Sequence, residues 1–118
     1  GNNLFLKFAF ISLRFKNLMN EAAEHKNNGN NDEALKCYEE VFELLENEIK
    51  MWNKTENLVS LNEFYDMLAV ESESVGNKHI AQECLRKSRK IKECITEESA
   101  GGEWYYVLET KWQKVKID

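Results

Sequence analysis

The sequence has no proline and only five glycines in 118 residues, so it lacks the residues that interrupt helices and build closely spaced tight turns. That disfavours a β-sandwich and permits long helices. Cysteine is scarce as well. Cys37, Cys84 and Cys94 form no CxxC pair, and an odd count does not close into a disulfide framework, so a reducing, cytoplasmic setting is expected. No apolar run is long enough to span a bilayer, and the mean hydropathy is −0.62, so a soluble chain without membrane insertion is expected. Leu4 to Leu13 is the most apolar stretch, but Lys7 interrupts it and no small-residue cleavage site follows. Phe5 also stands where a myristoylation signal needs Ser or Thr. The start at Gly1 rather than methionine reads as a boundary, with the chain expected to be a single domain cut from a longer protein.

Positive charge is in deficit, with a formal charge of −5 and a pI near 5.2, so general affinity for nucleic acid is not expected. The deficit is local: residues 31 to 75 carry three basic and twelve acidic side chains, whereas the segments on either side are each net positive. A partner with basic residues suits such a chain better than an acidic one. The run Arg86-Lys87-Ser88-Arg89-Lys90-Ile91-Lys92 sits at the end of an expected helix, where cations complement the helix dipole and the acidic segment can neutralise them.

What is present is helical periodicity. Phe5, Phe8, Ser12, Phe15, Met19 and Ala22 recur at three- and four-residue steps and predict a helix over 4–27. Asn27-Asn28-Gly29-Asn30-Asn31 supplies residues that tolerate a left-handed backbone and ends it. A second helix is expected over 32–53, capped by Asn30 with Glu33, with a stripe of Leu35, Tyr38, Phe42, Leu45, Ile49 and Trp52. Ser60-Leu61-Asn62-Glu63 reads as a capping box with Val59 and Phe64 as its hydrophobic staple, and starts a third helix that stops near Gly76. A fourth follows over 78–96, using Ile80, Ala81, Cys84, Leu85, Ser88, Ile91 and Ile95. After Ser99-Ala100-Gly101-Gly102, the spacing of Trp104, Leu108, Trp112 and Val115 favours a fifth helix over 103–116, while Trp104 to Val107 has enough aromatic and β-branched character for a short strand.

The two hairpins, about 4–53 and 58–96, superpose in sequence at a constant offset of 47 residues: Leu18, Ala22, His25, Gly29, Ala34, Tyr38 and Val41 match Tyr65, Ala69, Ser72, Gly76, Ala81, Leu85 and Ser88. Small residues allow two helix axes to approach, large ones fill the grooves, and glycine permits the reversal. With Gly29 followed by Asp32-Glu33-Ala34-Leu35 and Tyr38, residues 15 to about 92 resemble the tetratricopeptide repeat family. The offset exceeds that family's repeat of about 34 residues. No proline closes either repeat, and His25 and Ser72 stand where the pattern favours an aromatic, so the resemblance is to a divergent, longer-helix variant.

The resemblance implies an all-α stack of antiparallel pairs whose first helices line a peptide-binding groove. Lys16, Met19, Ala23, Lys26 and Asn27, with Glu63, Asp66, Val70, Glu73 and Ser74, would face it. Members that clamp a peptide's terminal carboxylate carry Lys and Asn where Met19 and Ala23 stand, so that clamp is not expected here. Glu24 to Ile49 is also similar to the first hairpin of microtubule-interacting and transport domains, three-helix modules that bind helical tails of membrane-remodelling proteins. The fourth helix, which repeats the glycine and alanine pattern, favours the repeat reading.

Nothing in the spacing predicts catalysis, a cofactor or a metal. His79 and Cys84 are five apart and fall on different helix faces, and there is no glycine-rich phosphate loop or nucleophile elbow. Cys37 and Cys84 occupy equivalent repeat positions and read as packing residues. The first helix is apolar on every side at Phe5, Phe8 and Phe10, which demands a cover: a folded-back Trp104/Trp112 segment, a second copy of the chain, or a neighbouring repeat. The expectation is a non-enzymatic interaction scaffold. The alternatives are a three-helix tail-binding module or, in a different class, a helical enzyme or regulatory ligand-binding domain.

Overall fold

The computed structural model describes the backbone of residues 2–49, 55–97 and 105–107 and the side chains of residues 9–47 and 58–94. Within these the chain is all-α in class, with four helices followed by a minimal ribbon: α1 Asn2–Asn27, α2 Asn31–Ile49, α3 Thr55–Ser74, α4 Lys78–Cys94, β1 Ile95–Glu97 and β2 Tyr105–Val107. None of the described helices is long and apolar enough to cross a membrane.

Two hairpin turns set the architecture, and they share one geometry. In the first, the Asn30 amide donates to the His25 carbonyl at 2.8 Å and the Gly29 amide to Lys26 at 3.1 Å. In the second, Asn77 donates to Ser72 at 2.9 Å and Gly76 to Glu73 at 2.9 Å. This pairing is the Schellman motif, which consumes the last carbonyls of a helix and needs a left-handed residue at its centre. Gly29 and Gly76 take that place with φ of 80° and 86°. Asn30 and Asn77 then open the next helix, their carbonyls accepting from Ala34 and Ala81, and the Asn77 side chain also caps the Ile80 amide at 3.1 Å. Each turn is too short for anything but an antiparallel return.

The helices pack as α1 on α2 and α3 on α4, with α2 against α3 joining the pairs. Ala22, Ala34, Ala69 and Ala81 are all buried, as close approach of the axes requires. Around them lie Ile11, Phe15 and Leu18 of α1, Tyr38, Val41 and Leu45 of α2, Leu58, Leu61, Tyr65 and Leu68 of α3, and Ile80, Cys84, Ile91 and Cys94 of α4. Phe15 and Phe64 stack at 4.3 Å between centroids and tie α1 to α3.

Several expectations are corrected. α3 begins at Thr55, so Ser60 is interior and the capping box and staple do not form. Extending the helix N-terminally places Leu58 at 0% exposure, and burial of a leucine, worth about 1.5–3 kcal/mol, outweighs a cap worth about 1 kcal/mol. α4 ends at Cys94, because Ile95 pairs with Val107 in the ribbon instead of continuing the helix. At Tyr105–Val107 the fifth helix is replaced by a strand, antiparallel to β1, whose aromatic and β-branched side chains suit an extended backbone. The core edge of α1 runs through Ile11 and Leu18, with Met19 half-buried, and that of α2 through Ala34 and Val41, with Leu35 and Phe42 half-buried. Leu85 is 44% exposed where its counterpart Tyr38 is buried, so the repeat breaks at that position. Residues 50–53, Trp104 and Trp112 lie outside the described residues, as do the side chains of Phe5 and Phe8.

Candidate functional site

The face shared by α1 and α3 carries a shallow, mostly apolar depression of about 370 Å³, lined by Met19 and Ala23 of α1 and by Met67, Val70 and Glu71 of α3. Helical spacing builds it. Positions 67, 70 and 71 fall on one side of α3, and 19 and 23 are one turn apart on α1. Met67 and Val70 are large apolar side chains that the fold leaves 51% and 65% exposed.

One end of the depression is closed by polar contacts. Lys26 Nζ donates to Ser74 Oγ at 2.7 Å and pairs with the Glu71 carboxylate at 3.5 Å, while the Ser74 hydroxyl donates to the Glu71 carbonyl at 2.6 Å. A cation is thereby fixed against the C-terminal turn of α3, where the helix dipole favours it.

Of the ten expected groove residues, Met19, Ala23 and Val70 line the depression, and Lys26 and Ser74 meet at its end. Lys16, Asn27, Glu63 and Glu73 are exposed and do not line this depression. Asp66 faces α4: its carboxylate lies 2.5 Å from Ser88 Oγ and 3.5 Å from Lys92 Nζ. Ser88 Oγ is also 2.6 Å from the Asn62 side chain. Both neighbours are acceptor oxygens, Asn62 Oδ1 and the Asp66 carboxylate, so the single Ser88 hydroxyl proton is shared between them. Met67 and Glu71 were absent from the expected set. Their signal is the step from Glu63 through Met67 to Val70 and Glu71, one face of the helix, whereas the expected set follows 63, 66, 70, 73 and 74.

Phe10 and Leu13 form a second exposed apolar patch, at 66% and 58%, on the side of α1 away from the core.

Three basic residues of α4 pair with carboxylates of the same chain. Lys87 is buried and pairs with Glu46 of α2 at 3.7 Å, Arg86 pairs with Glu83 at 3.1 Å, and Lys92 pairs with Asp66. Glu46 also accepts from the Tyr65 hydroxyl at 2.7 Å, so one carboxylate links α2, α3 and α4. Burial first, then the charge of Glu46 and this hydrogen bond, raise the Tyr65 phenol far above its usual range. Tyr38 shifts upward too, through burial and then the charge of Glu71. Among the described residues, the buried Ser72 hydroxyl has no hydrogen-bond partner.

Cys37, Cys84 and Cys94 are buried thiols that form no disulfide, and the Cys94 thiol donates to the Lys90 carbonyl at 3.2 Å. Burial, followed by Glu46 and Glu83, pushes the Cys84 thiol up to about 12. Cys37 is raised by burial and by Glu21, Glu40 and Glu33 in that order, so both thiols stay protonated at neutral pH and are weak nucleophiles.

No family model matches this chain, and neither the curated proteins nor the solved structures contain a significant match to it.

Proposed function

We propose that the chain is a non-enzymatic protein-interaction module, built from two tetratricopeptide-like hairpins, that receives a partner segment on the α1–α3 face. The observation that carries this reading is the exposure of Met67 and Val70, large apolar side chains outside the core, beside Ala23 and the half-buried Met19. Support for the repeat comes from the matched turns at Gly29 and Gly76 and the four buried alanines, all at the same 47-residue offset.

The occupant that suits the strip presents apolar side chains at helical spacing, flanked by Lys or Arg. The apolar side chains displace water from Met67 and Val70, and the basic ones answer the acidity of residues 31 to 75. The three-helix tail-binding reading ranks second, because α4 contributes Cys84 and Ile91 to the same core and is integral to the domain. Catalysis ranks lower still, since the depression brings together thioethers, methyls and a single carboxylate.

The test is selection of a displayed random-peptide library on the wild-type chain, repeated on Met67→Glu/Val70→Glu. Both positions are more than half exposed, so the double variant should stay folded by circular dichroism. Wild-type enrichment of basic, amphipathic peptides that the variant does not retain supports the reading. Equal enrichment on both proteins refutes it.

A further inference from the structure

On the flank of α1 opposite the depression, three side chains of different chemistry converge. Glu21 and His25, one turn apart on α1, and Cys37 of α2 place a carboxylate oxygen, an imidazole nitrogen and a thiol sulfur all within 4.8 Å of one another. The His25 to Glu21 separation is 3.8 Å. We propose that Glu21, His25 and Cys37 form a binding site for a single borderline-soft divalent cation, zinc above all, that clips α1 to α2.

The geometry is close to what such an ion needs. Bonds of about 2.0–2.3 Å in a tetrahedral arrangement set ligand atoms roughly 3.3–3.8 Å apart, so the group, now within 4.8 Å, must contract by about 1.5 Å at most. Glu21 is exposed and His25 half-buried, so rotation of the carboxylate and of the imidazole on their side-chain bonds supplies that adjustment without moving the backbone. The backbone under Cys37 and His25 is held. Cys37 is 7% exposed and sits three residues after the buried Ala34, on the face of α2 that packs against α1. The carbonyl of His25 accepts from both Asn28 and Asn30 in the Schellman turn, which fixes the backbone that carries the imidazole.

The donor set selects the ion. A thiolate with an imidazole suits zinc, whereas magnesium and calcium require an all-oxygen shell. As the metal–sulfur bond forms, the thiol proton passes to solvent, and the fourth position is left to water. Sequence spacing conceals the site, because the two residues on α1 look like an ordinary surface pair and the third ligand arrives only when the hairpin closes.

The test is titration of the reduced, tag-free chain with cobalt(II), followed by displacement with zinc. A thiolate ligand gives a near-ultraviolet charge-transfer band. We expect one equivalent of cobalt to produce it and one equivalent of zinc to remove it. Cys37→Ala should abolish the band, while Cys84→Ala and Cys94→Ala should keep it. In zinc competition, Glu21→Gln and His25→Ala, both solvent-accessible and foldable, should each weaken affinity tenfold or more. Absence of the band, its survival in Cys37→Ala, or unchanged zinc affinity in both Glu21→Gln and His25→Ala overturns the proposal. Those two α1 variants decide the matter if Cys37→Ala does not fold.

Discussion

At the residue scale, Glu46 holds more of the structure than its half-buried position suggests. It accepts from the buried Tyr65 hydroxyl and faces the buried Lys87 ammonium, so Glu46→Ala deprives two enclosed polar groups of one acceptor. The cost should be about 2 kcal/mol, below that of a fully enclosed pair because the Glu46 side chain is 31% exposed. Lys87→Met, which exchanges a buried cation for an apolar side chain of similar length, should lie within about 1 kcal/mol of wild type. Urea unfolding at neutral pH measures both, and the opposite ranking would contradict the assignment. Cys84 gives a prediction in pH. The unfolded thiol ionises near 9.0 and the folded one near 12, so the native state retains a proton that the unfolded state has released. Stability is therefore constant below pH 9 from this source and falls as pH rises from 9 towards 12, by at most about 1.4 kcal/mol per unit. The urea midpoint should be lower at pH 10.5 than at pH 8, and Cys84→Ala should flatten the decline. The pairing of the basic run with acidic residues was legible in the sequence as a charge balance. That Lys87 itself would be buried was not, because a lysine at a core-facing position of α4 is tolerated only where Glu46 arrives from another helix.

At the scale of elements, local signals were read correctly where the physics is local. Gly29 and Gly76 end α1 and α3 because only glycine takes that φ without strain, and the neighbouring asparagines start the next helix. A Cβ at either glycine meets nothing within 4 Å, so the penalty of Gly29→Ala or Gly76→Ala is backbone strain alone, about 1 kcal/mol each. Near-equal losses in the urea midpoint would show the two turns to be energetically equivalent, and a loss at only one would break that equivalence. Asn77→Ala should cost a similar amount through the Ile80 cap. Signals failed where tertiary burial outvoted them. The capping box at Ser60 was a correct local motif in the wrong place, because the core reaches Leu58. The apolar pattern after Trp104 fitted either helix or strand, and pairing with Ile95–Glu97 decides for a strand at Tyr105–Val107.

At the scale of the molecule, two hairpins with one turn geometry enclose a common core and leave an apolar strip between their leading helices. About half of that strip was legible in the sequence. Met19, Ala23 and Val70 are among the residues the family resemblance implies, but Met67 and Glu71 required the relative rotation of α1 and α3, which no single-helix pattern contains. Asp66 shows the converse, since it suits an acidic groove by composition and turns to α4 because Ser88 and Lys92 are there. Binding of a basic partner to the acidic middle of the chain should weaken as ionic strength rises, whereas the contribution of Met67 and Val70 should not. Affinity of a selected peptide measured across salt concentrations separates the two. The most direct test of the interaction face is two-dimensional NMR of the isotope-labelled chain titrated with the strongest peptide from the library selection. Resonances of Met19, Ala23, Met67, Val70 and Glu71 should shift together, while those of Phe10 and Leu13 on the other side of α1 stay in place. Shifts confined to other surfaces, with these five unmoved, would contradict the assignment.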